Sequence, residues 1–133
     1  MRRLAAIMFT DMVGYSALSQ RNDALALRLL EEHRNILRPF FAKHGGREIE
    51  TAGDLFFVEF ESAVEGAQCA VEIQTALFER NTTKPEDQKI LVRIGLHIGY
   101  VVYVEKHVHG DGVNIAARIE PLAKPGGICV SED

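Results

Sequence analysis

Two aspartates stand at positions where a chain commonly exposes side chains. Asp11 follows a short apolar run that reads as a strand, and Asp54 sits in a turn between two further strand-like runs. Two nearby carboxylates repel unless a cation lies between them. Hard oxygen ligands with open positions suit Mg²⁺ or Mn²⁺, which keep waters and recruit phosphates. Taken singly, each aspartate is equally well an N-cap or a turn residue. The segment Asp11-Met12-Val13-Gly14-Tyr15-Ser16 joins a strand to a helix start. Its N–H groups and the helix dipole could hold an anion, although it lacks the Gly-Lys-Ser/Thr ending of a Walker A loop. A third group is Asn114 and Arg118, four residues apart and so on one face of a helix. An amide and a guanidinium held together could orient a ribose and stabilise charge at a reacting phosphoryl group. On an isolated short helix the same pair is simply a solvated stripe.

The chain that must position these groups has 133 residues, 47% of them hydrophobic and 26% charged, which suits one folded domain and excludes a disordered chain. Lys and Arg number 15 against 19 Asp and Glu, a net charge of −4. This lacks the basic footprint of nucleic-acid or anionic-membrane binding. No apolar run reaches the roughly 20 residues of a membrane span, and the apolar start meets Asp11 too early for a secretory signal. Cys69 and Cys129 lie in apolar contexts and read as reduced, buried small hydrophobes. The expected location is the cytoplasm, alone or as part of a larger protein.

Periodicity supplies the elements. Arg3–Phe9 reads as a buried strand. Residues 16–43 read as helical, with Asn22-Asp23 capping a second segment, Pro39 kinking the last turns and His44-Gly45-Gly46 ending them. Runs 47–51 and 55–60 form a hairpin. Ser62 and Glu65 make a capping box for an amphipathic helix over 63–80, with Val64, Ala67, Val71 and Phe78 on one side. Runs 90–99 and 101–104 read as a second hairpin turning at Gly99-Tyr100. A short helix opens at Gly110-Asp111-Gly112, and Ile128 starts a last strand. The expected fold is α+β, a ferredoxin-like βαββαβ palm with a mostly antiparallel sheet and two long helices on one face. In that order the first and third strands are neighbours, so Asp11 and Asp54 could meet at one end of the sheet. The opposite face is left partly bare, which suggests a partner subunit.

Four segments together resemble a known family. They are Phe9-Thr10-Asp11-Met12-Val13-Gly14-Tyr15-Ser16, residues 44–54 from His44-Gly45-Gly46 to Gly53-Asp54, Arg93-Ile94-Gly95-Leu96-His97, and residues 110–118 from Gly110-Asp111-Gly112 through Asn114 to Arg118. In this order they are similar to the class III adenylate/guanylate cyclase catalytic domain, which would occupy residues 1–133. The resemblance implies a homodimer with composite active sites that converts ATP or GTP to the 3′,5′-cyclic monophosphate and pyrophosphate. It implies two Mg²⁺ or Mn²⁺ ions per site, held by Asp11, Asp54 and the Met12 carbonyl. It gives Val13, Gly14, Tyr15 and Ser16 to the triphosphate, Arg93 to a phosphate, Asn114 to the ribose and Arg118 to the α-phosphoryl group, the last two from the opposite subunit. No nucleic acid and no direct membrane contact are expected.

Two departures from the pattern matter. The positions that select the purine hold Glu50 and His107. An ionised Glu50 only accepts hydrogen bonds, which suits guanine N1–H and N2–H, and His107 can donate to O6. The pair leans toward GTP and leaves ATP possible. His107 is the family residue for neither base. The family pattern also runs beyond residues 126–131 into a hairpin carrying a phosphate-contacting Lys, which is missing here. The alternative expectation is therefore a weak or inactive cyclase-homology module that dimerises or senses nucleotide. A diguanylate-type palm would need a Gly-Gly-Asp/Glu-Glu-Phe-like hairpin, and Thr51-Ala52-Gly53-Asp54-Leu55 is not one.

Overall fold

The computed structural model describes residues 2–104, 107–109 and 111–132, with side chains over 4–101 and 113–131. The element order is β1 (Arg2–Met12), α1 (Tyr15–Arg21), α2 (Asp23–Lys43), β2 (Arg47–Ala52), β3 (Leu55–Phe60), α3 (Ala63–Asn81), β4 (Val92–Val104), β5 (His107–His109), α4 (Asp111–Ile119) and β6 (Ile128–Glu132). A 3₁₀ turn over Glu120–Leu122 follows α4 directly. The six strands form one sheet in the order β2-β3-β1-β4-β5. Strand β6 also lies against β4 and is parallel to it, while the other pairings are antiparallel. The expected α+β palm is what forms, with β1 between β3 and β4.

Strand alternation divides the chain into two cores. Ala6, Met8 and Met12 of β1, Phe56, Val58 and Phe60 of β3, and Val92, Ile94 and Leu96 of β4 face α2 and α3. Ala5, Ile7 and Phe9 face the other way, where Phe57, Val101 and Ala116 of α4 complete a smaller cluster. Phe9 and Phe57 stack there with centroids 4.6 Å apart. By the same alternation Asp11, Arg93 and Gly95 belong to the α4 face. Thus α4 covers part of the face expected to be bare.

The helix signals work as written in the sequence. Asn22 accepts a hydrogen bond from Leu25 N–H at 3.1 Å and caps α2. Ser62 accepts from Glu65 N–H at 3.2 Å and caps α3. Gly45 takes a φ of 70° where the chain leaves α2, a conformation that favours glycine. Pro39 lies inside α2, which runs on to Lys43.

Two expectations are corrected. First, there is no turn at Gly99-Tyr100: β4 continues unbroken to Val104 because residues 92–102 all find partners along the long β1. The hairpin instead joins β4 to β5, with Val104 opposite His107. Second, Val64, Val71 and Phe78 are not the buried side of α3. They are 63%, 57% and 73% exposed, while Gly66, Cys69, Ala70, Ile73 and Leu77 pack inward. Gly66 lets α3 lie close over Ala6 and Phe60. Gly66, Cys69 and Ala70 add little to a hydrophobic pattern, yet their small size lets the helix reach the sheet.

Candidate active site

The site lies where the end of β1 meets the β2–β3 turn. Asp54 occupies the second position of the two-residue turn Gly53-Asp54, and Gly53 supplies the required positive φ of 57°. The Asp54 carboxylate accepts the Met12 backbone N–H through Oδ2 at 2.8 Å. Asp54 is therefore fastened beside Asp11, and the two expected aspartates come together. Met12 itself is buried toward the helices, so only its backbone serves the site. The Arg34 guanidinium of α2 donates to the Gly53 carbonyl at 2.7 Å and holds the turn from the other side.

Asp11 faces its cross-strand neighbour Arg93, with 3.5 Å between Oδ1 and Nε. That distance makes an ion pair but no hydrogen bond, and Asp11 Oδ1 is a buried oxygen without a hydrogen-bond partner. Asp11, Asp54 and Arg93 line a cavity of about 360 Å³ with Met12, Gly14, Tyr15, Ser16, Ala17 and Leu55. Gly14 has a φ of 74° and precedes α1 without a side-chain cap, so the first-turn N–H groups of α1 have no side-chain partner there. Val13 lines a neighbouring hollow with Arg21 and Lys89 rather than this cavity. A slightly larger cavity, about 390 Å³, lies between α3 and the start of β4. Its lining is mostly apolar and contains no carboxylate, so it offers nothing for a cation.

Asn114 and Arg118 are exposed on α4 and, among the described residues, make no hydrogen bond or ion pair with the Asp11–Asp54 pair. Glu50 is reoriented by the backbone. A β-bulge between Glu48 and Glu50 pairs Glu48 with Val58 and Glu50 with Phe57. Val58 belongs to the helix-side core and Phe57 to the α4-side core. Glu48 and Glu50, expected on the same side of the strand, thus lie on opposite faces, with Glu48 bound to Arg38 at 2.9 Å. The extra residue at the bulge turns Glu50 to the face that carries Asp11 and α4. His107 opens β5 opposite Val104, and its side chain lies outside the described residues, as do residues 105, 106, 110 and 133.

One acidic residue escaped the sequence reading. Glu120 is 6% exposed. Burial first, and then a hydrogen-bonding contact with Asp11 and the Asp11 charge, push its carboxyl group up to about 8, against the pull of Arg93. A signal for it did exist: an acid at a helix C-terminus opposes the helix dipole and invites a reason.

The donor set fits a hard divalent cation. Asp11 offers a buried oxygen with no hydrogen-bond partner, and Asp54 is pinned next to it with a second oxygen to spare. Among the described residues no three Asp, Glu, His or Cys side chains converge as a complete cage. This suits an ion that draws its remaining ligands from water and a phosphorylated substrate. Among the described residues no helix is long and apolar enough to cross a membrane.

Comparison with known proteins identifies the family. A family model described as "Adenylate and Guanylate cyclase catalytic domain" matches residues 3–133. The chain is 42% identical to "Putative adenylate cyclase 3" of Rhizobium meliloti over 98% of its own length and 22% of that protein's. It is 32% identical to an adenylate cyclase of Streptomyces coelicolor over 97% of its length and 32% of the relative's. The chain thus spans about a fifth to a third of these two relatives. A solved adenylate/guanylate cyclase/hydrolase from Silicibacter pomeroyi superposes with a TM-score of 0.89 at 40% identity, covering 98% of this chain and 77% of that one. The guanylyl cyclase Cya2 gives 0.81 at 27% identity, covering 98% and 76%. The chain accordingly belongs to the adenylate and guanylate cyclase catalytic domain family.

Proposed function

We propose that this domain cyclises a purine nucleoside triphosphate, as one of two like subunits that share their active sites. The observation that carries the reading is the convergence of Asp11 and Asp54, fastened by the Met12 N–H bond to Asp54. In the reaction the ribose 3′-oxygen bonds to the α-phosphorus, the bond from that phosphorus to the β-phosphate bridge breaks, and pyrophosphate leaves. The hydroxyl proton passes to solvent.

Asp11, Asp54 and the Met12 carbonyl would hold two Mg²⁺ or Mn²⁺ ions, which supply Lewis-acid activation of the hydroxyl and charge neutralisation on the triphosphate. The chain's own groups do the positioning. The first-turn N–H groups of α1 after Gly14 face the triphosphate, along with Tyr15 and Ser16 at the cavity wall. Arg93 is paired to Asp11 and lines the same cavity, where it would contact a phosphate. Asn114 orients the ribose and Arg118 stabilises charge on the α-phosphoryl oxygens. Both are exposed on α4 and unbound to their own Asp11–Asp54 pair, which supports service to the partner's site. The bulge aims Glu50 at the same face, where its carboxylate would accept from guanine N1–H and N2–H. The substrate preference read from Glu50 and His107 is GTP over ATP.

The test is to incubate the protein with Mn²⁺ and either GTP or ATP and to measure both cyclic products. Turnover that disappears in Asp54→Ala supports the reading. Nucleotide binding without either product, in a preparation shown to be dimeric, replaces it with a nucleotide-sensing module.

A further inference from the structure

Arg34 and Arg38 stand one helical turn apart on α2 and hold the two ends of one short segment of chain. Arg38 Nη2 donates to Glu48 Oε1 at 2.9 Å, near the start of β2. Thr51 Oγ1 donates to the same carboxylate. In a regular strand residues three apart point to opposite faces, so the Glu48–Thr51 bond depends on the bulge between them. At the other end, Arg34 Nη2 donates to the Gly53 carbonyl at 2.7 Å, in the turn that closes β2. Between these holds the two strands are unequal. Glu48 pairs with Val58 and Ala52 with Leu55, so residues 48–52 run against residues 55–58, one residue fewer. The surplus is taken up at Ile49, whose side chain packs against the α4-side cluster. Regular pairing from Glu48 would instead set Glu50 opposite Phe56, on the helix side.

We propose that Arg34 is a positioning residue for purine selection: with Glu48 kept on the helix side by Arg38 and Thr51, the bond from Arg34 to Gly53 forces the bulge and turns the Glu50 carboxylate to the face that carries Asp11 and α4. Arg34 is not among the residues that line the Asp11–Asp54 cavity, so it acts on base choice only through the backbone. The two arginines differ in consequence. Loss of Arg38 frees Glu48, the start of β2 pairs regularly back from the turn, and Glu50 stays opposite Phe57. Loss of Arg34 frees the turn, β2 pairs regularly forward from Glu48, and Glu50 leaves that face. A hydrogen bond from a charged donor typically shifts such an equilibrium by about tenfold or more. This inference rests on the reading of Glu50 as the residue that selects the base.

The test compares Arg34→Met, Arg34→Lys and Arg38→Met in the full chain. Met keeps most of the side-chain volume without a donor, and Lys restores a donor for the Gly53 carbonyl. Two quantities are measured: the cross-strand nuclear Overhauser contacts of Glu50, and the ratio of kcat/KM for GTP to that for ATP with Mn²⁺. In Arg34→Met the Glu50–Phe57 contacts should weaken, contacts to Phe56 should appear, and the ratio should fall by about fivefold or more. Arg34→Lys should recover the ratio to within about twofold, and Arg38→Met should keep Glu50 opposite Phe57 with the ratio within about twofold. Added to Glu50→Gln, Arg34→Met should lower the ratio no further. A turn that is merely loosened slows both nucleotides alike and leaves the ratio where it was. Unmoved Glu50–Phe57 contacts in Arg34→Met overturn the inference, as does a ratio that falls with Glu50→Gln but not with Arg34→Met. A ratio indifferent to Glu50→Gln rejects Glu50 as the selecting residue, and with it the link to base choice, while the contacts still decide whether Arg34 sets the register. Protein that yields neither cyclic product rejects the cyclase reading, and the contacts decide the register in the same way.

Discussion

Acidification should unfold this domain partly through one buried imidazole. His33 sits on α2 with no exposed surface, its ring 5.3 Å from that of Phe56. Burial chiefly, helped by the charges of Arg34 and Arg38, pushes its pKa from 6.5 down to about 4, and a backbone contact at Leu30 opposes this only in part. The folded state therefore binds the His33 proton later than the unfolded chain does as pH falls. Its contribution is complete above the unfolded value and is lost as pH falls through about 6.5 toward 4. With each pKa unit worth about 1.4 kcal/mol, lowering the pH from about 7 to about 4.5 removes about 2 kcal/mol. Carboxylates held low by partners, Glu32 by Arg80 and Glu48 by Arg38, also lose stability on acidification. The assay must therefore isolate His33. Urea unfolding of the wild type and His33→Leu at both pH values does so, because the carboxylate losses are common to the two proteins. The wild type should lose about 2 kcal/mol more than the variant. An equal loss in both would refute the account of His33 as a buried neutral ring.

Four further outcomes follow from the geometry. Gly95→Ala forces a methyl group against the Glu120 backbone and should cost about 1–3 kcal/mol in denaturant unfolding. Arg34→Ala frees the Gly53 carbonyl and loosens the Asp54 turn, so turnover should fall by about tenfold with less than about 1 kcal/mol lost from the fold. Leu77→Ala should cost about 2–5 kcal/mol, whereas Phe78→Ser, on the outward side of the same helix, should stay within about 0.5 kcal/mol in thermal unfolding. Glu50→Lys should move the ratio of cyclic products toward the adenine nucleotide, since a lysine donates where glutamate accepts; an unchanged ratio would remove Glu50 from base selection.

The strand order and the meeting of Asp11 with Asp54 were legible because they rest on local signals: an apolar run ending in an acid, and a Gly-Asp turn between two strands. The helix caps at Asn22 and Ser62 were legible for the same reason. What escaped the sequence depended on contacts between distant segments. The length of β4 is set by the partner residues that β1 supplies across residues 92–102. The inward side of α3 is chosen by how closely Gly66 and Ala70 can approach the sheet, and periodicity alone favoured the bulkier Val64, Val71 and Phe78. Nothing local marks Glu120 as buried: Gly95, far earlier in the chain, lets its turn lie against β4. Nothing local marks Arg34 either, because its bond to the Gly53 carbonyl joins α2 to a turn two elements away.

The irregular pairing at Ile49 makes the placement of Glu50 a matter of backbone pairing as well as of residue type. In a regular strand, residues two apart project together, and Glu50 would join Glu48 beside Arg38 on the helix side. Pairing the same residues without the bulge would thus withdraw the Glu50 carboxylate from the face that carries Asp11 and α4 without altering any side chain. Which group faces that end of the sheet is therefore exposed to a slip of register as much as to substitution, and sequences compared by residue identity alone would conceal the change.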